Sequence, residues 1–267
     1  MNSAEILCKS ALSSSSLSDT ELSLNPYVGC EHGCYYCYAP YVTHRDPDSW
    51  VKAKAKVNIS EVLHAELRSG KAYRKRVTLS TVTDPYQPLE RRYGLTRKCL
   101  AELLDYGAYI SVQTKSSLVM RDVDIIKRFD VREVGFTMTT LAPFYEPGAD
   151  PVENRLEALR ALKKEGIRTF VFIGPVIPGH TTKTLIGKIS DAEPDYVVVD
   201  RLRIKKGMEQ GVRDICDTDL NASELEAYAE DVRGMCRDCG LNLITQPLWE
   251  PSHGDSGQST EPRSGSL

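Results

Sequence analysis

From residue 22 onwards the sequence alternates short β-rich runs with helical patterns, and this alternation restricts the fold more than any other feature. Apolar runs such as FVFIGPV (170–176) and YVVV (196–199) are typical of strands that are covered on both faces. Six such alternations predict parallel βαβ units. Both a doubly wound sheet and a complete or partial barrel fit this pattern. In a barrel, the long polar segments that follow the strands would share one mouth, where active sites lie.

The pattern predicts six strands and six main helices. The predicted strands are 22–29, 76–83, 108–114, 131–138, 167–176 and 195–202. The predicted helices are 58–70, 95–107, 123–129, 154–166, 183–190 and 224–240, with a short strand at 241–245. A capping box at Ser60 is expected to begin the first helix. The resulting division is an N-terminal extension (1–21), a core (22–203), a C-terminal helical extension (204–251) and a disordered tail (252–267).

Composition places the chain among ordinary globular proteins, with 41% hydrophobic and 27% charged residues in a length of 267. The 37 acids and 34 bases give a net charge of −3, so no global field attracts nucleic acid or a membrane. No apolar run approaches the roughly 18 residues of a transmembrane helix, and the serine-rich N-terminus lacks the apolar core of a secretory signal. A cytoplasmic location is therefore expected. In that reducing compartment, clustered cysteines are more typical of metal binding or catalysis than of disulfides.

The segment GCEHGCYYCYAP (29–40) carries Cys30, Cys34 and Cys37 in the spacing C-x3-C-x2-C. A closed zinc site needs a fourth ligand, which His32 would have to supply from inside a compact loop. A [4Fe–4S] cluster usually takes four thiolates, so three leave one iron open to a ligand that is not protein. The spacing favours the cluster. A zinc-stabilised nucleic-acid-binding module and a non-catalytic iron–sulfur electron carrier are the alternatives.

The same spacing, placed after a strand and before βα units, resembles the radical S-adenosylmethionine (SAM) superfamily. Five segments narrow the resemblance: NPYVGCEHGCYYCYA (25–39), TDPYQPLE (83–90), TKSSLVMRD (114–122), EPGADPVENRLEAL (146–159) and PVIPG (175–179). Together they are similar to the spore photoproduct lyase-related group, often labelled DNA repair photolyases. The resemblance covers roughly residues 20–203 and implies an α/β fold, a partial (β/α)6 TIM-type barrel in a single main domain.

This resemblance implies that Cys30, Cys34 and Cys37 bind a [4Fe–4S] cluster and that SAM binds its open iron. The cluster would cleave SAM reductively to methionine and a 5′-deoxyadenosyl radical. The electron would come from a low-potential donor, a ferredoxin or flavodoxin. The resemblance also implies SAM contacts near the strand ends: Tyr36 and the backbone of Gly174 and Pro175 at the adenine, Thr83 at the amino group or ribose, Lys115 at the carboxylate, and Thr137 at the ribose.

One position departs from the group. Spore photoproduct lyase carries a cysteine near the end of its second strand that donates hydrogen to the substrate radical, and Thr81 matches that position here. An alcohol O–H bond is too strong to donate hydrogen readily to a carbon radical. The expected substrate is therefore unknown and is not spore photoproduct.

Two sets of residues lie outside the expected cofactor contacts. Four basic residues follow the sixth strand, where they predict either a nucleotide or nucleic-acid substrate at the mouth or a solvated turn: Arg201, Arg203, Lys205 and Lys206. The basic run KAYRKR (71–76) is expected at the opposite end of the barrel.

The remaining cysteines and charged motif residues have structural interpretations. Cys236 and Cys239 share a helix face and are expected to pack as small hydrophobes, although Cys216 could complete a second metal site if the segments converged. Cys99 is expected in the core. Five charged motif residues have no assigned chemical role: Asp84, Glu90, Arg121, Glu146 and Arg155. Arg121 with Asp122, and Glu146 with Arg155, are expected to form ion pairs that shape the mouth.

Overall fold

The structure is a computed structural model that describes residues 4–14, 21–216 and 221–244. The tail predicted at 252–267 lies outside the described residues. In chain order the strands are β1 Glu5–Ile6, β2 Leu12–Ser14, β3 Leu22–Leu24, β4 Tyr27–Val28, β5 Lys54–Lys56, β6 Arg76–Leu79, β7 Tyr109–Thr114, β8 Arg132–Thr137, β9 Arg168–Val176 and β10 Tyr196–Arg201.

Helices connect the strands. They are α1 Ala39–Val42, α2 Pro47–Trp50, α3 Ile59–Leu67, α4 Glu90–Tyr93, α5 Leu95–Asp105, α6 Val123–Ile126, α7 Val152–Lys164, α8 Lys183–Ser190, α9 Glu209–Cys216 and α10 Ala222–Asp238. Two 3₁₀ helices, Ser117–Asp122 and Pro143–Tyr145, lie beyond the ends of β7 and β8. None of the helices in the described part of the chain is both long and apolar enough to cross a membrane. The cytoplasmic location stays a prediction.

The main sheet has seven strands in the order β10-β9-β8-β7-β6-β3-β2. Every neighbouring pair in it is parallel except β2 with β3. The six parallel strands follow chain order without the reversal that marks a doubly wound sheet. Sequential parallel strands with intervening helices form the expected partial (β/α)6 barrel, and their carboxyl ends share one edge. The functional residues predicted from the sequence lie mainly beyond this edge.

The largest hydrophobic cluster lies between the sheet and its helices, and it includes two of the cysteines assigned to packing. Cys99 on α5 and Cys236 on α10 are both fully buried there, and Cys239 packs against the same cluster. Cys216 packs instead against a separate cluster that contains Tyr36 and Leu202. The prediction that these cysteines act as small hydrophobes is therefore confirmed, and Cys216 does not join the α10 pair.

The first predicted strand, 22–29, is wrong as a single element. It divides into β3 and β4, which belong to different sheets, at Asn25 and Pro26. Proline has no backbone N–H, so Pro26 interrupts the ladder, and β4 then pairs antiparallel with β5. The second predicted strand also ends early, at Leu79, because Ser80 has the left-handed backbone angle φ +63°.

The predicted capping box at Ser60 is also wrong. Helix α3 begins after Asn58, and the Ser60 hydroxyl reaches Glu102 at 3.5 Å. The Asn58 side chain instead exchanges two hydrogen bonds with the backbone of Cys8, at 2.8 and 2.9 Å. Residues 4–14 thus attach to the fold through this contact and through β1 and β2. The division of the chain at 21/22 and 203/204 stays a prediction.

Candidate functional site

The cysteine loop begins at a glycine that no other residue could replace without strain. Gly29 has φ +82°, and a Cβ on it would lie 2.4 Å from the carbonyl oxygen of Trp50. That oxygen accepts the Cys30 N–H at 2.9 Å. The Gln87 side chain holds the same stretch, since its Nε2 donates to the Gly29 carbonyl at 3.1 Å and its Oε1 accepts the Glu31 N–H at 2.9 Å. The entry to the loop is therefore fixed from two sides.

The segment after β8 holds the other side of the loop. The Tyr35 N–H donates to the Tyr145 carbonyl at 3.0 Å, and the Gly148 N–H donates to the His32 carbonyl at 2.9 Å. A Cβ on Gly148 would lie 2.2 Å from the carbonyl oxygen of Glu31. The two segments therefore approach each other closely enough that this position requires glycine.

The three predicted cysteine ligands lie around one cavity of ≈ 110 Å³. Cys30, Cys34 and Cys37 line it together with Trp50 and Val51, among others. The loop places three thiols on one small space although they are distributed over eight residues of chain. A [4Fe–4S] cluster takes each thiolate on a different iron, so its ligands need only share a cavity and do not have to meet at one point.

Burial raises the pKa of all three thiols. It holds the pKa of Cys30 well above its usual range and raises the pKa of Cys34 to about 12, although Lys115 opposes the second shift. Burial also raises the pKa of Cys37. Uncharged thiols are thus favoured in the apo protein. Because metal ligation needs thiolates, a cationic cluster would supply the missing charge and release protons on binding.

The raised pKa of Cys34 predicts how the stability of the apo protein depends on pH. A group whose pKa is higher in the folded than in the unfolded state contributes stability that is lost above its unfolded pKa. We expect apo wild type to lose about 1 kcal/mol per pH unit relative to Cys34→Ser above pH ~9. Anaerobic urea unfolding of both proteins from pH 8 to 10.5 measures this difference. A difference that stays constant over the range would contradict the assignment of a buried neutral thiol.

His32, the fourth ligand of the zinc alternative, does not meet the three cysteines at one point. It is buried, and its Nδ1 lies 3.3 Å from the Asp84 carboxylate. Within the described part of the chain, no three His, Cys, Asp or Glu side chains converge on a point that could hold one metal ion. The arrangement therefore does not favour the Cys3His zinc alternative.

Asp84, which has no chemical role in the sequence interpretation, connects the cysteine loop with β7. Its carboxylate accepts the Thr114 hydroxyl at 2.7 Å and the backbone N–H groups of Tyr86 and Lys115 at 2.8 Å each. Although burial opposes ionisation, His32 and these hydrogen bonds hold the pKa of Asp84 below its usual range. An ionised Asp84 thus positions both His32 and Lys115. Sequence reasoning missed this role because its partners are far apart in the chain.

Lys115 follows β7 directly and extends towards the cysteine loop. Its Nζ lies 5.7 Å from the centroid of the Tyr36 ring. Burial opposes its charge, but Cys34 in its thiolate form and the ionised Glu146 carboxylate favour the ammonium and raise the pKa of Lys115 above its usual value. Among the residues that the structure describes, no carboxylate lies within ion-pair distance of this ammonium. Lys115 is therefore a charged donor beside the thiols with capacity for an anionic ligand.

Tyr36, Glu146 and Arg155 form a buried chain behind Lys115. The Tyr36 hydroxyl donates to Glu146, whose other oxygen accepts Arg155 Nη2 at 2.5 Å. Arg155 Nη1 donates to the Thr137 carbonyl at 2.8 Å. Although burial opposes it, Arg155 and Lys115 hold the pKa of Glu146 below its usual range. The expected ion pair of Glu146 with Arg155 is confirmed, and it fixes the Tyr36 ring.

The other predicted SAM contacts lie near this series of buried hydrogen bonds, at the ends of β8 and β9. Thr137 is the last residue of β8, and its hydroxyl accepts from Gln113 at 3.0 Å. Gly174 and Pro175 lie near the end of β9, joined by a cis peptide bond. The Gly174 carbonyl accepts the Thr139 hydroxyl at 3.0 Å.

Thr83 lies apart from these residues. It lies four positions beyond β6, and its hydroxyl donates to Asn25 at 3.3 Å. The backbone turn that begins at Ser80 carries it away from the strand end where the sequence placed it. The roles of all these residues in binding SAM stay predictions.

The second expected ion pair lies beneath the loop that follows β6. Arg121 pairs with Glu90 at 2.5 Å and with Asp122 at 2.8 Å. Glu90 also accepts the Tyr27 hydroxyl and the Thr96 N–H. The expected ion pair of Arg121 with Asp122 is confirmed, and the structure adds Glu90 as a second partner of Arg121.

Sequence comparison identifies the family of this site. The sequence model of the radical SAM superfamily matches residues 24–190, which include the cysteine loop and β6 to α8. The chain belongs to the radical SAM superfamily. The cofactors of this superfamily are a [4Fe–4S] cluster and SAM, the two that were expected from the sequence.

Two relatives illustrate the range of similar sequences. An uncharacterised protein of Methanocaldococcus jannaschii is 34% identical over 182 residues, which are 65% of this chain and 67% of the relative. A protein of Pseudomonas phage M6 named radical SAM Nα-GlyT isomerase is 24% identical over 183 residues, 65% of this chain and 38% of the relative. This radical SAM chain therefore spans about two thirds of the first relative and well under half of the second.

Solved structures confirm the fold. Spore photoproduct lyase in complex with dinucleoside spore photoproduct matches with a TM-score of 0.67 at 15% identity, over 88% of this chain and 77% of that one. A mutant of spore photoproduct lyase with AdoMet and the same dinucleoside bound matches with a TM-score of 0.64 at 16% identity, over 85% and 75%. The resemblance to the spore photoproduct lyase-related group is thus confirmed at the level of fold.

Thr81, at the position expected for the hydrogen-donating cysteine, lies on the turn after β6. Its hydroxyl shares a hydrogen bond with Ser23 at 3.0 Å. Its carbonyl accepts the hydroxyl of Tyr38, from the cysteine loop, at 3.3 Å. Thr81 therefore contacts the cysteine loop of this radical SAM protein, and its match to the hydrogen-donating cysteine of the lyase stays a prediction.

The basic residues after β10 lie near the same loop. Asp200 and Arg203 both act on the ionisation of Tyr38, and a Cβ on Gly207 would lie 3.1 Å from the Tyr41 ring. Arg203 pairs with Asp200 at 2.9 Å, and Arg201 pairs with Glu226 at 3.1 Å. Neither Lys205 nor Lys206 has an ion-pair partner within the described residues. The expected position at the mouth is confirmed.

The run 71–76 lies at the other end of the barrel, as expected. The Arg74 N–H donates to the Gly107 carbonyl, and Gly107 precedes the start of β7. Arg76, the first residue of β6, pairs with buried Glu133 at 2.5 Å.

Proposed function

We propose that this protein is a radical SAM enzyme in which Cys30, Cys34 and Cys37 ligate a [4Fe–4S] cluster and SAM binds beside Lys115. The observation that carries the proposal is the convergence of three thiols on one cavity next to an ammonium with no carboxylate at ion-pair distance among the described residues. Three thiolates leave one iron of such a cluster for a ligand that is not protein. Superfamily membership supports the same assignment.

When bound, the cofactors supply one-electron cleavage of the SAM sulfonium to methionine and a 5′-deoxyadenosyl radical that abstracts hydrogen from a substrate. The residues of the chain bind and orient. Lys115 would donate to the SAM carboxylate through a charge-assisted hydrogen bond. Asp84 fixes the Lys115 backbone, and the Glu146–Arg155 pair fixes Tyr36, which would flank the adenine.

Two further contacts would orient the rest of SAM. Thr137 and the backbone of Gly174 and Pro175 lie at the carboxyl ends of β8 and β9, within reach of a ribose and an adenine edge. Thr83 lies on the opposite side, near Asn25, and would contact the amino group or ribose. Buried walls on both sides would exclude water from the reacting atoms.

Anaerobic reconstitution tests the proposal. The purified chain with iron and sulfide should contain about four iron and four sulfide ions per chain. With SAM and dithionite it should form 5′-deoxyadenosine and methionine. A colourless protein that retains one zinc and no labile sulfide would refute the cluster. A protein with the cluster that forms no 5′-deoxyadenosine would be an electron carrier instead.

For the substrate, we propose an anionic molecule of the nucleotide or nucleic-acid class other than spore photoproduct. Lys205 and Lys206 lie next to the segment that meets the cysteine loop and have no ion-pair partner among the residues that the structure describes, which supports an anionic substrate. The relation in fold to a lyase crystallised with a dinucleoside photoproduct supports the class. Thr81 argues against spore photoproduct itself, because an alcohol does not replace a thiol as hydrogen donor.

The basic residues give this substrate proposal a direct test. We expect the combined variant Arg201→Ala, Arg203→Ala, Lys205→Ala and Lys206→Ala to bind oligonucleotides at least tenfold more weakly, with a shallower salt dependence. Fluorescence anisotropy with a single-stranded oligonucleotide at several salt concentrations measures both. Dithionite-driven SAM cleavage without substrate should change little. Unchanged affinity would make the segment a solvated turn.

A further inference from the structure

Exposed apolar side chains gather on the outer side of the thiol cavity. Tyr35 is 62% exposed, Val51 is 43% exposed and Val42 is 40% exposed. Tyr35 and Val51 also line the cavity that the three thiols share. These side chains thus separate the thiols from solvent by a single layer. Apolar side chains that remain exposed together commonly mark a surface where another molecule binds.

Cations surround this apolar patch. Arg45, Lys52 and Lys54 are exposed, and none has an ion-pair partner within the described residues. One of the two acids in the same segment is engaged, since Asp46 accepts the Ser49 N–H at 2.9 Å. Segment 41–56 carries four bases and two acids, whereas the whole chain has a net charge of −3. The surface therefore has the opposite sign of charge to the protein as a whole.

We propose that this outer loop surface, formed by Tyr35, Val42, Arg45, Val51, Lys52 and Lys54, docks a small acidic one-electron carrier protein. The inference rests on the proposed function, because the carrier would supply the electron that the cluster needs to cleave SAM. An apolar centre with a charged rim is the usual form of a transient interface, and charge complementarity raises its association rate. Electron transfer slows steeply with distance, so the thin wall at Tyr35 and Val51 is the favourable entry point.

The electron balance of the step is simple. The reduced carrier, a low-potential flavoprotein or iron–sulfur protein, loses one electron and is oxidised. The cluster gains that electron and is reduced, and no covalent bond forms or breaks in the transfer. The carrier leaves in its oxidised form, which a weak, salt-sensitive interface permits.

Docking at this surface is compatible with a substrate at the barrel mouth. Tyr41 lines the thiol cavity, and its ring lies so near Gly207, the residue after Lys206, that a Cβ there would be 3.1 Å from it. Tyr41 therefore lies between the outer loop surface and the basic residues assigned to the substrate. A carrier and a substrate can then occupy separate faces at the same time.

A charge reversal with two reductants tests the inference. The holoenzyme is compared with the variant Arg45→Glu/Lys52→Glu/Lys54→Glu, using 5′-deoxyadenosine formation as the readout. With flavodoxin, reduced by NADPH and flavodoxin reductase, we expect the rate at low ionic strength to fall at least tenfold. With dithionite the rate should stay within twofold of wild type. The neutral variant Arg45→Gln/Lys52→Gln/Lys54→Gln should show an intermediate loss.

The matched control reverses three exposed lysines on the helices. Lys98→Glu/Lys164→Glu/Lys183→Glu makes the same change in net charge, and none of these lysines has an ion-pair partner within the described residues. This control should retain the wild-type rate with both reductants. Raising the salt concentration should slow flavodoxin-driven turnover of wild type and control towards that of the reversal variant.

The outcomes separate this inference from the proposed function. Failure of dithionite-driven SAM cleavage in wild type would refute the proposed function. The docking surface would still be tested by measuring flavodoxin binding to the holoenzyme by interferometry, where we expect the reversal variant to bind tenfold more weakly. Equal flavodoxin-driven rates or affinities for the reversal and control variants would overturn the docking surface. If the reversal variant lost oligonucleotide binding but kept the wild-type rate with flavodoxin, the surface would be assigned to nucleic acid instead.

Discussion

Replacing Cys34 with serine is expected to remove the cluster and to reduce SAM cleavage more than ~100-fold, since loss of a direct ligand exceeds the 10–100-fold cost of losing its supporting partners. A hydroxyl is a poor ligand for iron in a sulfide cluster, whereas a thiolate is a strong one. The charges of Lys115 and Glu146 both act on the ionisation of Cys34. Its loss leaves two of the three proposed ligands on the cavity. Iron and sulfide content, visible absorbance and 5′-deoxyadenosine formation measure the effect. Cys30→Ser and Cys37→Ser should behave alike.

The fold should survive the loss of Cys34, because the backbone of the loop is held independently of the thiol. Hydrogen bonds from Cys30 to Trp50 and from Tyr35 to Tyr145 remain in the variant. Cys239→Ala is the matched control, since this thiol lies at the end of α10 and packs against the core. It should retain full iron content and turnover. Full cluster content in Cys34→Ser, or its loss in Cys239→Ala, would contradict the assignment of ligands.

The parallel core could be predicted from the sequence because its signals are local. Strands such as β9 and β10 are continuous apolar runs, and α7 ends at a glycine after a clear helical pattern. The predicted strand boundaries are wrong where the backbone conformation of a single residue overrides the hydrophobic pattern. Pro26 divides the first strand, and the left-handed Ser80 ends the second, although the flanking residues favour strand. A β-rich run alone carries no signal for such a break.

The candidate site also has one part that the sequence predicts and another that it does not. Cys30, Cys34 and Cys37 lie within eight residues, so the sequence alone predicts that these three cysteines act together. The residues proposed to position SAM have partners in distant segments: Tyr36 and Glu146 are 110 residues apart, and Asp84 and Thr114 are 30 apart. A single sequence does not reveal such pairs, because nothing local to either residue encodes the contact. This explains why Asp84 had no role until the fold was known.

Substituting Lys115 with methionine is expected to weaken SAM binding far more than it lowers the stability of the apo protein. A charge-assisted hydrogen bond contributes about 1.5–3 kcal/mol, so loss of the ammonium should weaken SAM binding about 10–100-fold. Methionine keeps the length of the side chain and removes a half-buried charge that lacks a carboxylate at ion-pair distance among the described residues. Because Glu146 favours this charge, the free energy of unfolding of the apo protein should fall, but by no more than about 1 kcal/mol. Equilibrium dialysis with the oxidised holoenzyme and urea unfolding of the apo protein measure the two quantities.

Two controls separate binding from a general disturbance of the site. Lys98→Met, on the exposed face of α5, should change neither SAM affinity nor iron content. Lys115→Arg keeps the charge and should recover part of the affinity, because guanidinium also pairs with carboxylates. A Lys115→Met protein that binds SAM as tightly as wild type would exclude this lysine from the carboxylate site. Equal losses of binding free energy and of unfolding free energy would instead make Lys115 a structural residue.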